Sequence, residues 1–213
     1  MKIQLEQVLP KEIEERSFQI ITQKLNEMGW TPDEPCASIV KRVIHTTADF
    51  DYVKNLIFSK DVLERALDAI RNRASIVTDT QMAMAGINKQ ALKQLGIEAY
   101  NFMGDDDVAQ KAKQNGTTRA AACMEKAAGL EGPVIFAIGN APTALVRIYE
   151  LVQERELAPA LVIGTPVGFV NVEQSKELIC SLKVPYIIAK GQKGGSNVAA
   201  AVVNALLYQL YKR

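Results

Sequence analysis

The chain has 213 residues, enough for one well-buried core and short for two. Its 25 lysines and arginines are offset by 24 aspartates and glutamates, which excludes the global basic field of a nonspecific nucleic-acid binder and requires any anion site to be local. Hydrophobic residues make up 48% and aromatic residues only 6%, which excludes a disordered chain and points to the aliphatic core of a parallel sheet covered by helices.

The N-terminal MKIQLEQVLPKEIEER lacks an apolar h-region, and no run approaches the roughly 18 apolar residues of a membrane span, so a cytoplasmic protein without membrane contact is expected. Behind Pro10 and a Glu-rich first turn, Ile13, Ile20, Ile21, Leu25 and Met28 fall on one face at helical spacing. Residues 10–28 therefore read as a helix, ended by Gly29. Short β-branched runs follow, alternating with helical stretches: VKRVI at 40–44, SIVT at 75–78, IEAYNF at 97–102, VIFAI at 134–138, ALVI at 160–163 and PYIIA at 185–189. Gly104-Asp105-Asp106-Asp107 precedes a helix, where carboxylates cap and match the dipole; oxygen cages for metals need more widely spaced ligands, and no metal is assigned. TTRAAACMEKAA reads as a helix, and VAAAVVNALLYQL as one apolar round most of its circumference, hence buried in the core or at a subunit contact. Cys36, Cys123 and Cys180 are odd in number and widely separated, so they read as thiols rather than as a disulfide or zinc framework.

Strands alternating with helices throughout predict an α/β, three-layer, doubly wound, mainly parallel sheet with helices on both faces, Rossmann-like, in a single domain over residues 1–213. Ligands of such sheets bind beyond the carboxyl ends of the strands, which selects the residues just after each run. These are His45-Thr46-Thr47; Thr78-Asp79-Thr80-Gln81-Met82; Gly139-Asn140-Ala141-Pro142-Thr143; Gly164-Thr165-Pro166-Val167-Gly168; and Lys190-Gly191-Gln192-Lys193-Gly194-Gly195-Ser196-Asn197. Histidine, with an ordinary pKa of about 6.5, is the natural proton carrier at neutral pH, and His45 is the only one in the chain.

The last loop opens the C-terminal helix and suits an anion, with Lys190 and Lys193 adding charge; it reads equally as a tight turn with Ser196 as N-cap. It carries neither a Walker pattern nor GxGxxG. Arg119 lies in the first turn of a helix, where a cation opposes the dipole; it is either a solvated surface side chain or a ligand for an anion. Ser17, within the apolar stripe of the first helix, either bonds back to a carbonyl or meets a ligand.

Six segments, RVIHTTADFDY, VTDTQMAMAGI, GTTRAAA, AIGNAPTAL, GTPVGFVN and KGQKGGSNVAAAVVNAL, in that order and across nearly the whole chain, resemble the precorrin-8X methylmutase family, including its cobalt-precorrin-8 counterpart. The resemblance implies an isomerase of cobalamin (corrin) biosynthesis that moves a methyl group from C-11 to C-12 of the macrocycle, giving hydrogenobyrinate or cobyrinate. It implies no cofactor, any cobalt belonging to the substrate, and a homodimer with its site near the interface. His45 takes the position of the family's catalytic histidine, and Ser17 and Arg119 match positions near the substrate. The corrinoid bears acetate and propionate groups, for which Arg119 and the backbone N–H groups at the strand ends offer local anion sites. The expected substrate contacts are Ser17, Thr78, Asp79, Met82, Arg119, Gly139, Asn140, Gly164, Pro166, Gly168, Gly191, Lys193, Gly194, Gly195 and Ser196, the glycines letting a flat ring approach the backbone. MGDDDVAQKAKQNG departs from the family pattern and receives no role. A tetrapyrrole carrier without catalysis is the competing expectation; a nucleotide- or phosphosugar-binding enzyme, suggested by fold class alone, lacks its phosphate fingerprints.

Overall fold

The runs at 75–78 and 134–138 form strands with the boundaries their sequences predict, because both carry side chains that pack on both faces of a sheet. In a computed structural model, residues 6–30 and 36–211 are described. A 3-10 turn at Pro10–Glu12 leads into α1 (Ile13–Glu27), followed by α2 (Ala37–Thr47), α3 (Tyr52–Asn55), β1 (Leu56–Phe58), α4 (Val62–Arg71), β2 (Ser75–Thr78), α5 (Gln81–Gly86), α6 (Lys89–Leu95) and β3 (Ala99–Tyr100). The second half continues with α7 (Asp106–Asn115), α8 (Arg119–Ala127), β4 (Val134–Ile138), α9 (Pro142–Gln153), β5 (Leu161–Gly164), α10 (Val172–Cys180), β6 (Tyr186–Ala189) and α11 (Ser196–Leu210).

The six strands form one sheet in the order β1-β6-β5-β4-β2-β3, parallel at every pairing except β1 with β6. Phe136 sits between Val77 and Val162 in register. Along β4 the faces alternate: Val134, Phe136 and Ile138 pack with apolar residues of α7 to α10, while Ile135 and Ala137 pack with α2, α4, α5, α6 and α11. The result is the three-layer, doubly wound α/β architecture that the sequence predicts. Among the parallel strands, β3-β2-β4-β5-β6, the order reverses between β2 and β4, and such a switch point opens a crevice at the carboxyl ends.

Two expectations need correction. The run at 40–44 is helical, part of α2, and not a strand. Its β-branched residues suggested a strand, but Ile39, Val40, Val43 and Ile44 recur at helical spacing and bury one face, largely against α11. The strand missed by sequence is β1, three residues long and antiparallel at the edge, too short to show an alternating pattern. Strands and helices therefore do not alternate from the start of the chain, and His45 lies in the last turn of α2, not behind a strand. The run at 97–102 contributes only Ala99 and Tyr100 to the sheet.

α2 runs antiparallel to α11. Gln209 Nε2 donates to Ser38 Oγ at one end, 2.8 Å, and at the other Lys193, just ahead of α11, reaches Asp49 and Asp51, just beyond α2. His45 thus reaches the carboxyl end of the sheet by a helix. α11 is buried along most of its length, in the core as one of the two expected placements had it. Cys123 is fully buried in α8, where burial pushes its thiol up to about 11. Among the described residues no helix is long and apolar enough to cross a membrane.

Candidate active site

α1 packs on α2, and that contact brings Ser17 to His45. Ser17 Oγ lies 2.9 Å from His45 Nδ1, so the serine bonds to the imidazole and not back to its own helix; Thr22, one turn on, is the residue that donates back, to the Phe18 carbonyl. Phe18 stacks on the imidazole, ring centroids 5.2 Å apart and planes 14° from parallel. Arg42 continues the pile, its guanidinium 4.6 Å from the Phe18 ring and 5.0 Å from that of Tyr208, and it is ion-paired with Glu14. One imidazole nitrogen and one ring face are thereby fixed, and Nε2 is the nitrogen left for chemistry.

Ser17 and His45 line a cavity of about 510 Å³ together with Ile13, Ile20, Ile21, Ile44, Ala48 and Phe50. Arg16 and Lys24 stand in the same wall, Arg16 paired with Glu6 at 2.7 Å and Lys24 held 5.5 Å above the Phe50 ring. A mainly apolar hollow with a few cations and one proton carrier suits a large, flat, polycarboxylated ligand. Sequence reasoning passed over Phe18, Arg42, Arg16 and Lys24. The signal was available for Arg42, which is three residues before His45 and hence on the same helical face.

The crevice at the switch point is filled by the chain itself. Asp79, 2% exposed, accepts the N–H groups of Gly139 (2.8 Å), Asn140 (2.8 Å) and Ala141 (2.6 Å) on its two carboxylate oxygens. Burial pushes this carboxyl above the usual range, and the three N–H groups draw it back. Donors that could cradle a phosphate are therefore taken up, which argues against a nucleotide site. Thr78, fully buried, donates toward the carbonyls of Thr80 and Tyr100 and accepts from Asn101 Nδ2. Both side chains face the chain's own atoms.

The glycines at the strand ends bring the loops together. A Cβ at Gly139 would lie 2.6 Å from Ser196 Cα, one at Gly164 2.4 Å from Ile188 Cδ1, and one at Gly194 2.1 Å from the Thr165 carbonyl oxygen. These three positions admit neighbouring backbone or side chain where the sequence suggested a flat ring. Ser196 is the first residue of α11 and Gly195 its N-cap, so the serine does not cap the helix; its Oγ pairs instead with Thr80 Oγ1 at 2.7 Å. Gly191 has open space around its missing Cβ. Pro166 is buried, Gly168 is half-buried, and Met82 (71% exposed) and Asn140 face solvent.

Lys193 Nζ is shared by Asp49 (2.7 Å) and Asp51 (2.6 Å), and it holds the Asp49 carboxyl below its usual range. Beneath that loop the buried Lys176 donates to the carbonyls of Gly191 (2.6 Å) and Lys193 (2.9 Å). Arg119 is exposed at the start of α8, makes no ion pair among the described residues, and does not line the His45 cavity. In the acidic segment Lys126 joins Asp105 and Asp107 at 2.7 and 2.8 Å, and Asp105 is the N-cap residue of α7 without a side-chain capping bond. Among the described residues no group of His, Cys, Asp and Glu could hold a metal ion.

The doubly wound sheet, with a serine-held histidine in the wall of a mainly apolar cavity, is the frame of an α/β enzyme. Residues 12–209 match the family model for precorrin-8X methylmutase, and the chain belongs to that family. A relative from Salmonella typhimurium named cobalt-precorrin-8 methylmutase is 46% identical over 207 residues, covering 94% of this chain and 96% of that protein. One of the same name from Priestia megaterium is 43% identical over 199 residues, covering 93% of this chain and 88% of that one. The solved structure of a precorrin-8X methylmutase from Thermus thermophilus superposes with a TM-score of 0.84 at 36% identity, covering 92% of this chain and 96% of that one.

Proposed function

We propose that this protein is an isomerase of cobalamin biosynthesis that moves the methyl group of precorrin-8X, or of cobalt-precorrin-8, from C-11 to C-12. The observation that carries the reading is the hydrogen bond of Ser17 to His45 at the mouth of the apolar cavity. A methyl shift leaves the composition of the substrate unchanged, so any proton His45 lends must return to it. The imidazolium donates from Nε2 to the macrocycle, at a ring nitrogen or a nearby carbon, and the protonated ring then undergoes the sigmatropic shift more easily. The neutral imidazole takes the proton back. Ser17 Oγ accepts from Nδ1–H in both states, because Nδ1 keeps its proton when Nε2 gives one up.

Arg16 and Lys24 in the cavity wall, together with Arg119, supply the cations, and backbone N–H groups of the loop of Gly191 to Ser196 the donors, that acetate and propionate side chains need. The reaction uses no cofactor, and any cobalt enters and leaves with the substrate. The protein works in the cytoplasm as a homodimer with its site near the interface; support comes from the exposed Ile13 and Ile20, which share the cavity wall with His45, and from Leu9 and Met28, exposed at the two ends of the first helical segment.

The test is the absorption spectrum during incubation with metal-free or cobalt-loaded precorrin-8X, because the shift alters the conjugated system. A spectral change with wild type and none with His45→Ala, which should still bind the corrinoid, is expected. No change with either form of the substrate overturns the reading. Sedimentation velocity checks the dimer, and activity that survives dialysis against a chelator checks the cofactor.

A further inference from the structure

We propose that Lys193 is a positioning residue that locks the end of α2, and with it His45, and that it does not bind a substrate carboxylate. The inference rests on the methylmutase reading above only for the activity by which it is measured.

The base of Lys193 is held on every side. Its carbonyl and that of Gly191 accept from the buried Lys176 ammonium; the Lys190 N–H donates to Asn55 O at 2.7 Å; Gly195 N–H donates to Thr165 O at 2.8 Å, against which Gly194 is pressed. From this fixed base the side chain reaches out to the segment that follows His45. α2 ends at Ala48, left-handed at φ 55°, whose N–H donates to Ile44 O. Asp49 N–H then donates to Thr47 Oγ1, itself bonded to Val43 O, and Asp51 N–H donates to Asp49 Oδ1. The Asp49 and Asp51 carboxylates both close on Lys193 Nζ. No other ion pair among the described residues ties the last turn of α2 to the loops at the carboxyl end of the sheet.

The charge balance opposes a role in binding. One ammonium between two carboxylates leaves the cluster net negative, and a substrate rich in acetate and propionate groups is repelled by it. Exposed ion pairs contribute little to stability on average. Their geometry can still matter here, because a proton donor displaced by about 1 Å can lose up to roughly a hundredfold in rate.

The test compares Lys193→Met, Lys193→Arg, Asp49→Asn and the double variant Lys193→Met/Asp49→Asn, each checked for folding by circular dichroism. With precorrin-8X, Lys193→Met should lower kcat about 10- to 100-fold and change KM less than about twofold. Lys193→Arg should restore most of the rate, and the double variant should be no slower than the slower single one. Because His45 is the only histidine, the imidazole NMR signals of protein free of affinity tags report on it alone; they should move in Lys193→Met and return in Lys193→Arg. A raised KM with unchanged kcat, multiplying effects in the double variant, or unmoved imidazole signals would overturn the proposal. If wild type itself shows no turnover, the methylmutase reading fails and the NMR comparison alone judges the clamp. Should Lys193→Met not fold, Asp49→Asn carries the same comparison.

Discussion

Ser17 and His45, 28 residues apart on two different helices, are joined by a hydrogen bond of 2.9 Å. The bond occupies Nδ1 and holds the ring in the cavity wall. Replacing His45 by Gln should lower kcat by about a thousandfold, the scale of a lost general acid. Ser17→Ala should cost about tenfold in kcat with little change in KM, since it frees the ring without removing the proton. The spectral assay measures both, and equal losses in the two variants would contradict the division of roles.

Asp79 does for the switch point what an anion would do, accepting three backbone N–H groups from inside the fold. Asp79→Ala leaves those donors buried without a partner and should destabilise the protein by about 3 kcal/mol. Urea unfolding followed by circular dichroism checks it. A loss below about 1 kcal/mol would mean that water replaces the carboxylate at no cost.

Lys176 is 2% exposed, and burial draws its ammonium down to about 8 from the ordinary 10.5, against an opposing pull from Glu173. Glu177, Cys180 and Lys190 line the same small hollow. Between those two pH values the unfolded chain holds the proton that the folded one has released, so stability contributed by this group rises with pH across that interval. Relative to Lys176→Met, wild type should gain about 2 kcal/mol between about pH 7 and about pH 10. Unfolding free energies of both proteins at the two pH values decide it, and a constant difference would speak against a buried charge.

Gly194→Ala would place a methyl 2.1 Å from the Thr165 carbonyl oxygen, a backbone atom that cannot move aside without breaking its bond to Gly195 N–H. A loss of about 3 kcal/mol, read as a lower Tm, is expected. Gly29→Ala provides the contrast: its φ of +71° favours glycine, but nothing lies within 4 Å, and about 1 kcal/mol should be lost. Similar effects at both sites would show that backbone conformation, not the close approach of two loops, governs Gly194.

Fold class is legible in the linear chain, because Val, Ile and Ala runs such as VIFAI at 134–138 are satisfied between two layers of helices. The linear chain also singled out His45, Ser17 and Arg119, through residue type and ordered segments that survive without knowledge of contacts. How those residues are deployed depends on contacts made in the folded chain. VKRVI is as β-branched in sequence as a strand, yet α11 offers its helical face a long apolar partner, and packing outweighs local preference. Asp79 and Lys193 look in sequence like groups waiting for a ligand, since a carboxylate or an ammonium at a strand end carries no mark of its partner. Folding supplies that partner from 60 to 144 residues away, and Ser17, Arg16 and Lys24, which share the cavity with His45, come from a neighbouring helix that the linear pattern could not place beside it.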